Sequence, residues 1–438
     1  MSSRDLAIFL TNDLTGISRG RAFPARDLGH RMEAGVGWVP ANHALTPFGD
    51  IGENPFGPLG DLRLQPELES PGFKLTGFGE DPGLLAFLCD IIETDGRPWG
   101  GCPRNFARQA LADLERETGL TVKASFEQEF FLLGIDLAVN SAFTLIDFRG
   151  VQNFLGALSE ALGAAGVEPE TILREYGPQQ FELTMKPARG LAAADRAVIL
   201  REVTRDVARQ FGGRACFAPI IDPVSVGSGV HIHFSLETPD GRAATHDPER
   251  PGGISERAGS FVAGVLRHMP ALCALSAPSV ISYLRLTPHR WSSGFNCFGY
   301  RNREAGVRIA PVDDTPGREI ARQAHLEFRA GDATASPYMQ LGALVRAGLE
   351  GMRAKLPAPP LVEGDPADLS AAQLKKLGIR RLPDSLSVAL GELEKDMTAM
   401  GWLPEPLRKA FFALKRTEMA KLEHLDATGQ CAKYASVY

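Results

Sequence analysis

Four short segments carry carboxylates and imidazoles at alternate positions: Ser125-Glu127-Glu129, Gln180-Glu182-Thr184, His231-His233-Ser235 and His325-Glu327-Arg329. In an extended strand successive side chains point to opposite faces, so each set falls on one face. The other face is mostly apolar, with Phe126 and Phe130, Phe181 and Leu183, Val230, Ile232 and Phe234, and Leu326 and Phe328. One face therefore meets a hydrophobic core, and the other meets something that requires carboxylates and imidazoles. Carboxylates held this close repel one another and take up protons unless a cation lies between them. Divalent metal ions holding a phosphorylated substrate satisfy that requirement. Arg285, Arg301, Arg303, Arg308 and Arg329 stand on or near strands in the second half of the chain. The guanidinium fork matches carboxylate and phosphate oxygens, so metals with arginines equip a site for phosphoryl transfer.

Each motif alone has an ordinary explanation. A Glu-x-Glu pair on an edge strand is more often solvated than liganding, and His-x-His gains its weight from the preceding Gly227-Ser228-Gly229. What sets the motifs apart is the coincidence of Glu127, Glu129, Glu182 and Glu327 with His231, His233 and His325 on faces opposite a core. Asp313, Asp314 and Asp332 read as solvated loop acids.

The elements that must position these residues follow from length and pattern. A chain of 438 residues exceeds one ordinary core, and 44% hydrophobic with 23% charged residues is the composition of a soluble globular protein, so two domains are expected. Net charge is −6, which advertises neither nucleic acid nor an anionic membrane as a partner. The six cysteines are scattered without a Cys-x-x-Cys pair, against a disulfide framework or a thiolate zinc site. The N-terminus lacks an apolar signal core, and the most apolar helix, near Phe261 to Leu275, is interrupted by Arg267 and His268, so a cytoplasmic protein is expected. Residues 4–23 read as strand, turn, strand, and residues 40–82 as loops and short strands. From Pro103 helices alternate with strands, with helices expected at 151–165, 192–211, 254–273 and 338–354. A Pro-rich connector at 356–366 precedes a helical C-terminal region, where Leu386, Leu390, Leu393, Met397 and Met400 form a stripe read as core.

The ordered set resembles the glutamine synthetase family: Glu127-Gln128-Glu129, Glu175, Gln180-Phe181-Glu182, Gly227 to His233, Arg285-Leu286, Asn302-Arg303 with Arg308, Glu327-Phe328-Arg329 and Ser336-Pro337-Tyr338. Asp13 to Gly20 and Gly60 to Leu64 resemble the family's small domain, so the likeness spans essentially the whole chain. The resemblance implies an α+β fold, with a small β-grasp-like N-terminal domain over 1–100 and a catalytic domain over 101–438 built on a curved, barrel-like antiparallel sheet with flanking helices. It implies a homo-oligomer, a dodecamer of two hexameric rings. It also implies ATP and Mg²⁺ or Mn²⁺ as cofactors, with Glu129, Glu175 and Glu182 on one metal and Glu127, His231 and Glu327 on the second. His233, Ser235 and Arg308 would seat ATP, and Arg303 and Arg308 would neutralise phosphate charge. Arg285 and Arg329 would clamp glutamate beside Gly227. The implied reaction forms a γ-glutamyl phosphate, which an amine then attacks.

Departures from the family pattern bear on the amine. Ammonia-using members carry Pro-Gly-Tyr-Glu-Ala-Pro after the Arg-Leu pair; here Pro288-His289-Arg290-Trp291-Ser292-Ser293 puts Trp291 in place of the glutamate. Asp50 is the one nearby candidate for the small domain's ammonium-binding acid. An indole cannot ion-pair with ammonium, although it attracts a cation to its face or packs on an alkyl chain. The expected substrate is therefore an organic primary amine, an alkylamine or a polyamine, and Trp291 a substrate contact. Two alternatives stand: an acid such as Glu304 compensates and ammonia is used, or the chain is a catalytically silent regulatory member. Val226 also replaces a family Asn that recognises the amino acid, and His325 a family Arg near the nucleotide.

Overall fold

The computed structural model describes residues 5–75 and 83–438, an α+β arrangement of two sheets with flanking helices. The first sheet contains β1 (Leu6–Asn12), β2 (Ser18–Pro24), β3 (Val36–Trp38), β4 (Leu62–Pro66), β5 (Phe73–Leu75) and β6 (Leu84–Glu93). Its order is β2-β1-β6-β4-β3, with β5 also on β6, and only the central β1–β6 pair is parallel. Strict alternation gives this β-grasp-like sheet two buried faces. Ala7, Phe9, Phe87 and Ile91 enter a small cluster with Trp38 and Leu64, while Leu10, Ala86 and Leu88 join the main core beneath helix Pro103–Thr118. The expected loops and short strands of residues 40–75 are a 3-10 turn at Pro40–Ala44 followed by β4 and β5; the remainder of that stretch, 76–82, lies outside the described residues.

The second sheet contains β7 (Thr121–Leu133), β8 (Pro169–Arg174), β9 (Gln180–Met185), β10 (Ala188–Arg189), β11 (Arg214–Cys216), β12 (Val230–Glu237), β13 (Phe295–Tyr300), β14 (Ala305–Ile309) and β15 (Leu326–Phe328). Its path is β13-β14-β15-β12-β7-β9-β8, antiparallel except for β13–β14. The convex face is the core: Phe126, Phe130, Leu183, Ile232, Phe234 and Phe328 are buried with helices Leu191–Gln210, Glu256–Ser276 and Pro337–Arg353. Each such side chain contributes roughly 1.5–3 kcal/mol by leaving water. Gln128 is the polar exception on this face, and it is satisfied: its Nε2 donates to the Ala197 carbonyl at 3.0 Å, and its Oε1 accepts from Arg201. Arg201 also donates to the carbonyls of Ala333 and Ala335, each at 3.1 Å, which fixes the turn after β15 against the sheet.

The helices expected between 151 and 354 are Gln152–Ala164, Leu191–Gln210, Glu256–Ser276 and Pro337–Arg353. Helix Glu256–Ser276 is not cut short at Arg267 and His268. It runs 21 residues and is long and apolar enough to cross a bilayer, yet 89% of its most apolar window is buried inside the protein, so it is a core helix. All six cysteines are free and buried. Two expectations fail. Asp332 is fully buried rather than solvated, because its Oδ1 accepts from the backbone N–H (2.9 Å) and hydroxyl (2.5 Å) of Thr334 in the turn that Arg201 holds. The C-terminal stripe is not continuous: Asp396 caps a new helix through the Ala399 N–H at 3.0 Å and pairs with His268 Nδ1 at 2.5 Å. The break leaves Leu386, Leu390 and Leu393 in the core but turns Met397 into solvent.

Candidate active site

Strand register assembles the concave face. On β7, Glu127 stands directly opposite His231 of β12, and two residues on Glu129 stands opposite Glu182 of β9. On the far side of β12, His233 is opposite Glu327 of β15, which in turn is opposite Arg308 of β14. Directly opposed residues in an antiparallel pair have Cβ atoms about 4.5–5.5 Å apart. Four neighbouring strands thus bring three glutamates, two histidines and an arginine into one row, with Glu182 added from β9.

The contacts define two centres. His231 Nδ1 lies 2.6 Å from Glu127 Oε1, and His233 Nε2 lies 3.1 Å from Glu127 Oε2. Arg285 Nη2 donates to His231 Nε2 at 3.1 Å. Glu327 is wholly buried between Arg308 and Arg329, which both donate to it, and lies 3.6 Å from His231. Ligand atoms of Glu127, His231 and Glu327 fall within 4.8 Å of one another, and so do those of Glu127, Glu129 and Glu182. Gln180 Nε2 donates to Glu129 Oε2 at 3.0 Å and to the Gly227 carbonyl at 2.9 Å, orienting the carboxylate and the Gly227 loop together.

Burial and the closeness of the carboxylates set the electrostatics of the row. Burial, with Glu127, Glu129 and Glu175 nearby, pushes Glu182 up to about 10. Burial also pushes Glu129 up to about 7, against the pull of Arg285, and raises Glu175. At the other centre burial is outweighed: Arg329, His233 and His231 bring Glu327 down to about 2, and hydrogen bonds from His231 and His233 hold Glu127 well below the usual carboxylate range. Burial and the Arg329 charge push His231 down to about 4, leaving the neutral imidazole that a metal requires. Oxygen-rich donor sets with one imidazole suit hard cations such as Mg²⁺ and Mn²⁺, and the unrelieved repulsion at Glu129 and Glu182 is what such a cation would remove.

A cavity of about 780 Å³ opens over this row. Glu127, Glu129, Glu175, Glu182, Gly227, His231, Arg285, Trp291, Arg303, Arg308 and Arg329, all named from the sequence, line it. Three others do not. Glu327, fully buried, and His233 belong to the row without reaching the cavity wall, and Ser235 sits further along β12 opposite Lys123. Glu175 lines the cavity from the turn after β8, while the close three-carboxylate cluster is formed with Glu127. Gly227 and Gly229 are required by close approach: a Cβ on Gly227 would meet the Pro219 carbonyl at 2.7 Å, and one on Gly229 would meet Arg285 Nη2 and, at 2.8 Å, His231 Nε2. Arg285 is 3% exposed, and its buried Nη1 has no hydrogen-bond partner among the described residues. Sequence reasoning missed Phe143, Tyr176 and Arg290, which also line the cavity. Tyr176 directly follows Glu175, which was the available signal. Glu304 does not line the cavity: its Oε1 accepts the Trp291 N–H at 2.9 Å, so it supports the loop from behind. Asp50 pairs with Lys421 of its own chain and accepts from Thr46 at 2.6 Å.

This fold and this row of carboxylates, imidazoles and arginines are suited to phosphoryl-transfer chemistry assisted by divalent cations. Residues 100–434 match the family profile of the glutamine synthetase catalytic domain and residues 2–99 that of the glutamine synthetase N-terminal domain; the chain belongs to the glutamine synthetase family. It is 34% identical over 436 residues to the gamma-glutamylpolyamine synthetase GlnA3 of Streptomyces coelicolor, covering 97% of this chain and 92% of that protein. It is 28% identical to the glutamine synthetase of Methanocaldococcus jannaschii, over 96% and 93% of the two chains. A crystal structure described as a novel glutamine synthase homolog superposes with a TM-score of 0.91 at 43% identity, over 100% of this chain and 99% of that one. Members of the family are carboxylate-amine ligases that use ATP and divalent metals.

Proposed function

We propose that the protein joins the side-chain carboxylate of glutamate to an organic primary amine, with hydrolysis of ATP to ADP and phosphate. The observation that carries the choice of amine is the cavity lining. Among the described residues the acids lining it are Glu127, Glu129, Glu175 and Glu182, all needed for metals, and the loop position over the acyl group is Trp291. Ammonium, small and strongly hydrated, is left without an anionic partner of its own. An alkylamine recovers binding from apolar area at roughly 25 cal/mol per Å².

Two divalent cations, held by Glu129, Glu175 and Glu182 and by Glu127, His231 and Glu327, would neutralise the phosphate oxygens. Arg285, through its free Nη1, receives the substrate's α-carboxylate. Arg303 and Arg308 face the phosphates, with His233 and Ser235 toward the nucleotide, so that the γ-carboxylate oxygen bonds to the γ-phosphorus as the bond to ADP breaks. The neutral amine then attacks the acyl carbon; the C–O bond to phosphate breaks, and phosphate leaves with the electron pair and takes up the proton that the nitrogen loses. Trp291 shields the acyl phosphate from water. The reading extends to a cytoplasmic enzyme with a small domain over 1–100 and a catalytic domain over 101–438.

Phosphate release with ATP, Mg²⁺ and glutamate against ammonia and a panel of amines tests this. At least one organic amine should exceed ammonia in kcat/KM by roughly tenfold, about 1.4 kcal/mol of transition-state binding. Preference for ammonia across the panel would return the protein to glutamine synthesis, and no turnover with any amine would favour a silent regulator. We further propose a ring of subunits, two hexamers in a dodecamer. Ile51, Leu59 and Leu68 of the N-terminal part leave large apolar side chains in water, as surfaces awaiting a neighbour do. Sedimentation should give one large species; a fully active monomer would exclude it.

A further inference from the structure

The cavity mouth carries a row of three rings, and the chemistry above gives a role to one of them, Trp291. Phe143 meets Tyr176 edge-on, with centroids 5.4 Å apart at 88°, and Tyr176 meets Trp291 edge-on at 5.5 Å and 80°. All three are about half exposed, at 51%, 54% and 53%. They come from three separate segments: the loop before helix Leu145–Gly150, the turn after β8, and the loop after Arg285. Leu173, Val224 and Val226 line the same cavity. Side chains so placed form an apolar wall leading outward from the acyl position, and large aromatic surface left in water at a pocket mouth is suited to a ligand's hydrocarbon.

The charges beside the wall exclude one class of amine. Arg290, on the cavity wall, donates to the Ser225 carbonyl at 2.7 Å and keeps its positive charge at the mouth. His289 is its neighbour; the acids found on that side, Asp365 and Glu304, are engaged by His289 Nδ1 at 2.9 Å and by the Trp291 N–H at 2.9 Å, and neither lines the cavity. A second ammonium at the end of a diamine would meet a cationic rim, with no free acid among the described residues lining the mouth. Cation–π attraction to rings as exposed as Tyr176 and Trp291 is weak and does not offset that repulsion.

Resting on the organic-amine reading, we infer that the amine substrate is a monoamine with an apolar tail, an arylalkyl or long or branched alkyl group, held on Phe143, Tyr176 and Trp291, and that polyamines are disfavoured. The most direct comparison is n-butylamine with putrescine, which share four carbons and differ by one terminal ammonium. Wild-type kcat/KM, with the γ-glutamyl product verified by mass spectrometry, should favour n-butylamine at least tenfold and phenethylamine over methylamine at least tenfold. Tyr176→Ala should reduce the phenethylamine-to-methylamine ratio fivefold or more, and Arg290→Glu should raise putrescine relative to n-butylamine by a similar factor. Putrescine equal to or better than n-butylamine in the wild type would overturn the inference while leaving an organic-amine ligase intact. Ammonia as the best substrate would overturn both. Tyr176→Ala that alters sedimentation but not the amine ratios would make the rings a subunit contact and likewise overturn it.

Discussion

Replacing Glu129 with Gln should lower kcat by about three orders of magnitude while the protein folds and assembles normally. The expectation follows from the position of the carboxylate. Glu129 is opposite Glu182 across the β7–β9 ladder, is oriented by Gln180 at 3.0 Å, and belongs to the cluster whose ligand atoms lie within 4.8 Å. Gln keeps the shape and the acceptor oxygen but removes a charge that a catalytic cation requires, and such a cation supplies several kcal/mol of transition-state stabilisation. Without metal, the substitution relieves repulsion against Glu127 and Glu182, so the metal-free variant should melt no lower than the metal-free wild type. Added Mn²⁺ should separate them. A ligand at 100 times its Kd stabilises a protein by about 2.7 kcal/mol, and the variant should lose most of that Tm increase. Wild-type turnover together with a wild-type Tm increase would remove Glu129 from the ligand set. Glu327 offers a less clean test, because Glu327→Ala strands Arg308 and Arg329 in the interior at a cost of about 3–5 kcal/mol.

What could be read beforehand was whatever periodicity determines. The alternation that put Glu127, Glu129, Glu182, His231 and His233 on one face requires no knowledge of partners, and the strand registers align those residues as the chemistry demands. Residues whose surroundings are set by tertiary contacts were not legible. Asp332 read as a solvated loop acid; tertiary contacts bury that loop, with Arg201, over a hundred residues away, donating to the carbonyls of Ala333 and Ala335, and the Asp332 N–H donating to the Ser276 carbonyl at 3.0 Å. Met397 fitted a helical stripe until Asp396 found His268 and Ala399 and broke the helix. The ring row at the mouth was invisible for the same reason, since Phe143, Tyr176 and Trp291 share no period. Arg329 shows the limit within the site itself: the family resemblance suggested a substrate clamp, and the hydrogen bonds reveal a second task.

Arg329→Lys should cost two to three orders of magnitude in kcat/KM although it preserves the charge. Arg329 is 1% exposed, and its guanidinium acts in three directions: one nitrogen donates to Glu327, Nε donates to the Arg303 carbonyl at 3.0 Å, and Nη2 donates to the Trp291 carbonyl at 2.6 Å. Glu304 accepts from the N–H of the same Trp291, so residue 291 is gripped on both sides. The grip is needed because the loop is strained. His289, Trp291 and Ser293 have φ of 63°, 52° and 73°, a region that side chains other than glycine avoid at about 1–3 kcal/mol each. An ammonium is a point charge without a planar fork, so a lysine would keep the Glu327 pairing and release the Trp291 carbonyl. The loop would then relax from its strained form, and displacement of about 1 Å at a reacting centre costs on the order of 10²-fold. Trypsin gives a readout independent of chemistry. Arg290 lies in this loop and is exposed, so cleavage after it should be faster in Arg329→Lys than in the wild type. A large loss of activity with unchanged cleavage would assign Arg329 to substrate binding alone, and unchanged activity with faster cleavage would show that the loop's position does not matter to turnover.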